Sequence, residues 1–346
     1  MELRISNIFL FLSFLSLTMA CSSQRDSQNA SAGGESPYTW EREEGDQGES
    51  AECQSGGVSP SVGIVGGEPV LQNSWVSKGV VFIIQDYTEY GNRHSSICTG
   101  SLIDKNLVLT AAHCVDRSQS SPSNVSVYFT SQPECESVNN TLESKKRKAS
   151  AVRIHPLWDP LSSQTTNRGD VALVRISGQA PSAYNPLKLS AQFQSIPDGF
   201  PILITGFGMV NPDYYGDFGG PISLRIGEVP PITSAEQRYL AELSGAQTPA
   251  EAAEFQNLPG NEMIYIDQTK GQGICGGDSG GPSITKNTAG QFVVTGVASF
   301  VMNPLNNNAL CAYVAAHTSV VYHKDWIESA FLSLRNSDSS LMTPYQ

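Results

Sequence analysis

Gly276-Gly277-Asp278-Ser279-Gly280-Gly281-Pro282 is the stretch on which the reading of this chain turns. It is a glycine-rich loop that carries one serine. A neutral serine hydroxyl is a poor nucleophile at pH 7 and needs a base with a pKa near neutrality, which is histidine. Two further strings supply the partners. Leu109-Thr110-Ala111-Ala112-His113-Cys114 ends one apolar run, and Arg168-Gly169-Asp170-Val171-Ala172-Leu173 opens another. In this scheme His113 takes the proton from Ser279 and returns it to the leaving amine. A buried carboxylate at Asp170 fixes the imidazole tautomer and stabilises the imidazolium. Charge developing on the scissile oxygen would be met by the backbone N–H groups of Gly277 and Ser279, and losing one such donor typically costs about 3 kcal/mol of transition-state stabilisation.

Taken together, the TAAHC, GDVAL and GDSGGP strings resemble the trypsin/chymotrypsin-like serine proteases over essentially all of 64–346. The resemblance implies an all-β fold of two antiparallel six-stranded barrels with a C-terminal helix, with barrel one over about 64–180, barrel two over about 181–320 and the helix over about 325–335. The local patterns agree. Gly79–Ile84, Leu107–Ala112, Val171–Ile176, Pro201–Gly206 and Phe292–Ala298 are short apolar runs separated by Gly, Pro, Asn and Ser, as strands of a barrel or sandwich are. Two helices are expected, one over Ser234–Phe255 and one opened by Asp325-Trp326-Ile327-Glu328, a capping-box pattern before Ser329–Leu334.

Rival readings of the serine fail on order or context. Gly277-Asp278-Ser279-Gly280-Gly281 also fits the elbow of α/β-hydrolases, whose acid and histidine follow the serine in that order. No Asp or Glu occurs between residues 280 and 324, and His317 and His323 both precede Asp325. Ser283-Ile284-Thr285-Lys286 matches S-x-x-K, but no K-T-G follows it. The five histidines and seven cysteines show no close ligand pair, so neither a metal nor another cofactor is expected. His155 reads as structural, His94, His317 and His323 have no assigned role, and Lys145-Lys146-Arg147-Lys148 reads as a solvated loop.

Ile64-Val65-Gly66-Gly67 resembles the mature N-terminus of the family, which implies that cleavage after Gly63 frees an α-amino group to pair with Asp278. Gly63 stands where the family usually has Arg or Lys, so the expected activator prefers small residues, and it could be the enzyme acting on itself. The resemblance also places Gly273 at the pocket floor, six residues before the nucleophile, and Ser299, Val301 and Ala315 on the pocket wall. All are uncharged, which points to Val, Ala or a small Leu-like side chain before the scissile bond and against a cationic one.

Upstream, Ile5–Ala20 is an uncharged apolar stretch behind Arg4, short for a membrane span and suited to a signal-peptide core. It ends Leu17-Thr18-Met19-Ala20-Cys21, which resembles the lipobox of bacterial lipoproteins, with Cys21 the lipidated residue. Export follows, to an outer membrane, periplasm or cell surface, and export permits disulfides. With Cys21 set aside, six cysteines allow 15 pairings. The family resemblance implies Cys98–Cys114 and Cys275–Cys311, leaving Cys53 with Cys135.

Half of the net charge of -12 falls in residues 22–63, where eight acids face two bases, and the rest is spread over 64–346. Ser and Gly make up 16 of those 42 residues, a composition that cannot bury enough apolar surface to offset its ordering entropy. The segment reads as an acidic tether, about 30 Å in root-mean-square reach from Cys21 to Cys53. Acidity disfavours a nucleic-acid partner. Protein or peptide substrates, a membrane contact only through the lipid and a monomeric state are expected. The rival from another class is a catalytically silent, protease-like binding lipoprotein.

Overall fold

The structure, a computed structural model, describes residues 63–118, 121–161, 168–191, 201–210, 222–232, 262–303, 311–335 and 344–345. Ser234–Phe255, the signal-like stretch, Cys21, Cys53 and the acidic segment lie outside the described residues.

Alternating apolar and polar positions build the first unit from β2 (Val80–Glu89), β3 (Asn92–Asp104), β4 (Leu107–Thr110), β5 (Val125–Tyr128), β6 (Lys146–Ile154) and β7 (Ala172–Ile176). They close into a barrel in the order β2-β3-β4-β7-β6-β5. Ile83, Leu102, Leu109, Val127 and Leu173 are fully buried in this unit. The β2–β3 hairpin turns at Tyr90 and Gly91, both at positive φ (50° and 80°), as a tight hairpin turn with the twist of its strands requires.

The second unit is a seven-stranded sheet in the order β1-β9-β8-β11-β12-β13-β10. Its strands are β1 (Glu68–Pro69), β8 (Ile202–Gly206), β9 (Arg225–Val229), β10 (Met263–Asp267), β11 (Pro282–Lys286), β12 (Phe292–Met302) and β13 (Val314–Ser319). The chain beyond β9 turns back onto β10, where Asp267 N–H donates to Pro230 O (3.0 Å) and Ile232 N–H to Tyr265 O (2.9 Å). The all-β expectation holds and the fold is chymotrypsin-like, but of the two six-stranded barrels expected only the first is closed among the described residues, the second unit being a seven-stranded sheet.

Two helices are described. α1 is one short turn, Pro133–Val138. α2, Lys324–Leu334, buries Ile327, Ala330, Phe331 and Leu334 on one face at i, i+3, i+4 and i+7 spacing. Its N-cap is His323, with no side-chain cap bond, so Asp325 lies inside the first turn instead of capping it. A carboxylate there still complements the positive end of the helix.

The basic run is not a loop. Lys146, Arg147 and Lys148 open β6, opposite Tyr128, Val127 and Ser126. Lys148 Nζ donates to Ser126 Oγ (2.9 Å), and Lys146 Nζ lies 5.6 Å from the centre of the Tyr128 ring. Long aliphatic stems that cover a strand while their charged ends stay wet make such a run compatible with the outer face of a barrel.

Candidate active site

β4 ends at Thr110 and leads to His113, whose neighbour Cys114 lies against the Ser279 turn of the second unit. The Cys98–Cys114 disulfide ties the residue after it to β3. Asp170 precedes β7, the neighbour of β4 in the barrel, so sheet pairing alone brings acid and base together. Asp170 Oδ2 accepts from His113 Nδ1 (2.8 Å) and Oδ1 from the His113 backbone N–H (3.0 Å). The carboxylate is 5% exposed and also accepts from Ser299 Oγ at Oδ2 (2.5 Å). Thr318 Oγ1 donates to the Asp170 carbonyl (3.0 Å). A proton held on Nδ1 by the carboxylate leaves Nε2 as the basic nitrogen. Burial alone would lower the His113 pKa and raise that of Asp170. Their attraction and shared hydrogen bond outweigh it, holding His113 above and Asp170 below the ordinary values.

The Ser279 turn is stitched onto the first barrel. Thr99 N–H donates to Ser279 O (2.8 Å), Thr99 Oγ1 to Gly277 O (3.0 Å), and Thr110 Oγ1 to Thr99 O (2.9 Å). Gly280 is required here: its φ is +81°, and a Cβ on it would lie 2.1 Å from Thr110 Oγ1 and 2.4 Å from Thr99 O. Ser279 O also lies 3.5 Å from Cys114 Sγ, the neighbour of His113. Gly277 sits at φ 99°, and neither its N–H nor that of Ser279 has a protein acceptor among the described residues. Two such N–H groups two residues apart are what the expected oxyanion hole requires.

Asp278 is fully buried beneath Gly206 and Gly208, accepting from Gly208 N–H at Oδ1 (2.7 Å) and from Cys275 N–H at Oδ2 (2.8 Å). Burial pushes its pKa up to about 7, against the pull of those two bonds. No cation faces it among the described residues. Ile64 is fully buried against Ile202, Ile204, Val229, Ile266, Ile274, Ala298 and Ala315. Gly63, still joined to it, has φ 154°, and a Cβ there would meet the Arg225 stem at 2.4 Å.

The positions that the sequence reading assigns to a pocket lie in β12, β13 and the segment before Cys275, where Gly273 bridges to Val65. Val301 and Ala315 are cross-strand partners, and both touch the cluster around Ile64. Gly273 is buried and paired with Val65, each donating its N–H to the other's carbonyl (3.1 and 2.9 Å). The Cys275–Cys311 disulfide closes this wall. Ser299 reaches beyond the pocket wall to hold Asp170. Cys135, in α1, is disulfide-bonded to a partner outside the described residues. Cys98, His113 and Cys114 offer three potential metal donors within 4.8 Å, but both sulfurs are committed to a disulfide and no thiolate is left.

Behind the Asp170 loop lies a chain of groups that has no sequence signature. Leu157 N–H donates to His155 Nδ1 (3.2 Å), which puts the His155 proton on Nε2, facing His323 Nδ1 (3.2 Å). His323 Nε2 then faces Glu262 Oε1 at 3.5 Å, and Glu262 Oε2 accepts from Arg168 Nε (2.7 Å). Arg168 Nη2 donates to Tyr322 OH (2.9 Å). Glu262 is fully buried, and Gly169 must lack a Cβ because one would lie 2.3 Å from His155 Nδ1. Trp158 was likewise unmarked; its ring stands 6.2 Å from that of His113, and its Nε1 donates to Asp116 Oδ2 (3.3 Å).

Two β-units meeting over a carboxylate-supported histidine, with a serine turn at the seam, define the chymotrypsin-like class. The chain belongs to the trypsin family, whose profile, Trypsin, matches residues 64–327. It is 28% identical over 243 residues to chymotrypsin-like elastase family member 1 of Canis lupus familiaris, covering 69% of this chain and 81% of that one. It is 25% identical over 248 residues to phenoloxidase-activating factor 3 of Holotrichia diomphalia, covering 67% of this chain and 63% of that one.

Proposed function

We propose that the protein is a serine endopeptidase in which Ser279 is the nucleophile, His113 the general base and acid, Asp170 its support, and the N–H groups of Gly277 and Ser279 the oxyanion hole. The observation that carries this reading is the Asp170 carboxylate, which accepts three hydrogen bonds and leaves His113 with one basic nitrogen on the seam that holds the Ser279 turn. Attack by Ser279 on a peptide carbonyl gives an acyl-enzyme as His113 protonates the leaving amine. Water activated by the same imidazole then releases the acid. Uncharged Gly273, Val301 and Ala315 support a preference for small or medium apolar side chains before the scissile bond, in keeping with a relative named as an elastase.

Cleavage between Gly63 and Ile64 is the proposed activation step. The new ammonium at Ile64 would neutralise Asp278, a buried carboxylate with two backbone donors and no cation. The protein is exported and held by lipid on Cys21. That leaves Cys53 as the partner of Cys135 and keeps residues 21–63 attached to the protease domain, 64–346, after the cut. A fluorophosphonate probe applied to protein cleaved before Ile64 tests the reading, with Ser279→Ala as control. Labelling confined to the wild-type protein supports a peptidase; no labelling identifies a catalytically silent binding protein.

A further inference from the structure

We infer that the floor of the specificity pocket is supplied by Gln268, which stands before the glycine-rich segment and reaches under Gly273; the inference rests on the pocket position assigned to Gly273 above. Gly273 has no side chain, and the space one would enter is taken. A Cβ built on it lies 2.4 Å from Gln268 Cδ, 2.7 Å from Oε1 and 2.8 Å from Cγ. The carboxamide is 2% exposed and fully wired: Oε1 accepts from Ile274 N–H (2.7 Å), while Nε2 donates to Ile274 O (3.2 Å) and Cys311 O (2.8 Å). Exchanging the amide ends would set NH2 against an N–H and a carbonyl against two carbonyls, so the orientation is fixed by its partners. Its backbone is held as well, with Gln268 N–H donating to Tyr313 O (2.8 Å).

The chemistry of this floor narrows the substrate class. Both amide hydrogens are spent, so no donor is left for a carboxylate, and no anion is present for an ammonium or guanidinium. The remaining lone pair on Oε1 can accept one hydrogen bond, as from a hydroxyl, but carries no charge to offset the desolvation of a cation. Small neutral side chains, Ala, Val, Ser or Thr, therefore fit before the scissile bond, while longer or charged ones meet a filled and unresponsive base.

The test compares Gln268→Ala, Gly273→Asp and the double variant, using benzamidine binding by titration calorimetry and kcat/KM on peptides varied at the residue before the scissile bond. Gln268→Ala should raise the Leu-to-Ala ratio of kcat/KM about tenfold or more. Gly273→Asp alone should bind no benzamidine, whereas the double variant should, because the amide no longer occupies the carboxylate's place and Ile274 N–H becomes its donor. If Gln268→Ala fails to fold, Gln268→Asn, one carbon shorter, should move the peptide ranking the same way. An unchanged ranking, or benzamidine bound by Gly273→Asp as tightly as by the double variant, overturns the assignment. Benzamidine binding needs no turnover, so a wild-type protein that escapes fluorophosphonate would count against the peptidase reading and leave the calorimetric result to decide this one.

Discussion

At the residue scale the most informative atom is Asp170 Oδ2, shared between His113 Nδ1 and Ser299 Oγ. Replacing Asp170 by Asn keeps the shape but offers an amide where the imidazole needs an acceptor, and kcat should fall by roughly four orders of magnitude. Ser299→Ala takes away one donor to the anion and should cost about tenfold in kcat with KM little changed. The two differ in sign on the pH profile. Without Ser299 Oγ the carboxylate holds the His113 proton more firmly, so the acid limb of kcat/KM moves to higher pH. With Asn it moves to lower pH, because the attraction that raises the His113 pKa is gone. Stopped-flow or steady-state profiles between pH 5 and 9 separate them. The strings around His113, Asp170 and Ser279 could be read from sequence because each is contiguous and chemically specific. Gln268 and Glu262 could not, since what defines them is a contact with residues distant in the chain and no local pattern records it.

Elements carry the pH dependence of folding. Asp278 has its pKa pushed up to about 7, above its unfolded value, so its contribution is complete below about pH 4 and is lost as pH rises through 7. His317 on β13 works the other way. It is fully buried with neither nitrogen hydrogen-bonded among the described residues, and burial pushes its pKa down to about 3. The unfolded chain binds that proton more readily, so stability drops as pH falls below about 6.5, by up to about 1.4 kcal/mol per pH unit. Cleavage before Ile64 should relieve only the Asp278 penalty. The cleaved form should therefore gain stability over the precursor as pH rises through 7, and parallel urea titrations at pH 5 and 8 measure the difference.

Packing between elements also fixes the Arg168–Glu262 pair. Arg168→Ala leaves a buried carboxylate facing only His323. The cost should be about 2–3 kcal/mol of unfolding free energy, below the value for a fully buried pair because the guanidinium is half in water. A lowered urea midpoint with an unchanged slope is the expected result. At this scale the sequence located the strand runs and the C-terminal helix well. It misjudged the basic run, because a charge-rich strand whose stems lie along the outside of a barrel has the composition of a loop. Its capping box placed the start of α2 at Asp325, whereas the helix begins at Lys324 behind the N-cap His323, which is already fixed by a hydrogen bond from its N–H to Ser319 O (3.3 Å).

For the whole molecule, what cysteine chemistry joins decides what stays together after activation. Cys135 is bonded outside the described residues, and the proposed partner is Cys53. Cys135→Ser should leave cleavage before Ile64 intact yet release the 21–63 segment from the protease body without reductant. Wild-type protein should release it only with reductant, and gel electrophoresis under both conditions reads this out. The seam between the two β-units has a different consequence. Because the Ser279 turn is held by Thr99 of the opposite unit, itself braced by Thr110, neither unit alone fixes the proposed nucleophile. A loosened seam would therefore disturb the turn while leaving the core of each unit intact, a loss of function that no core measurement would register.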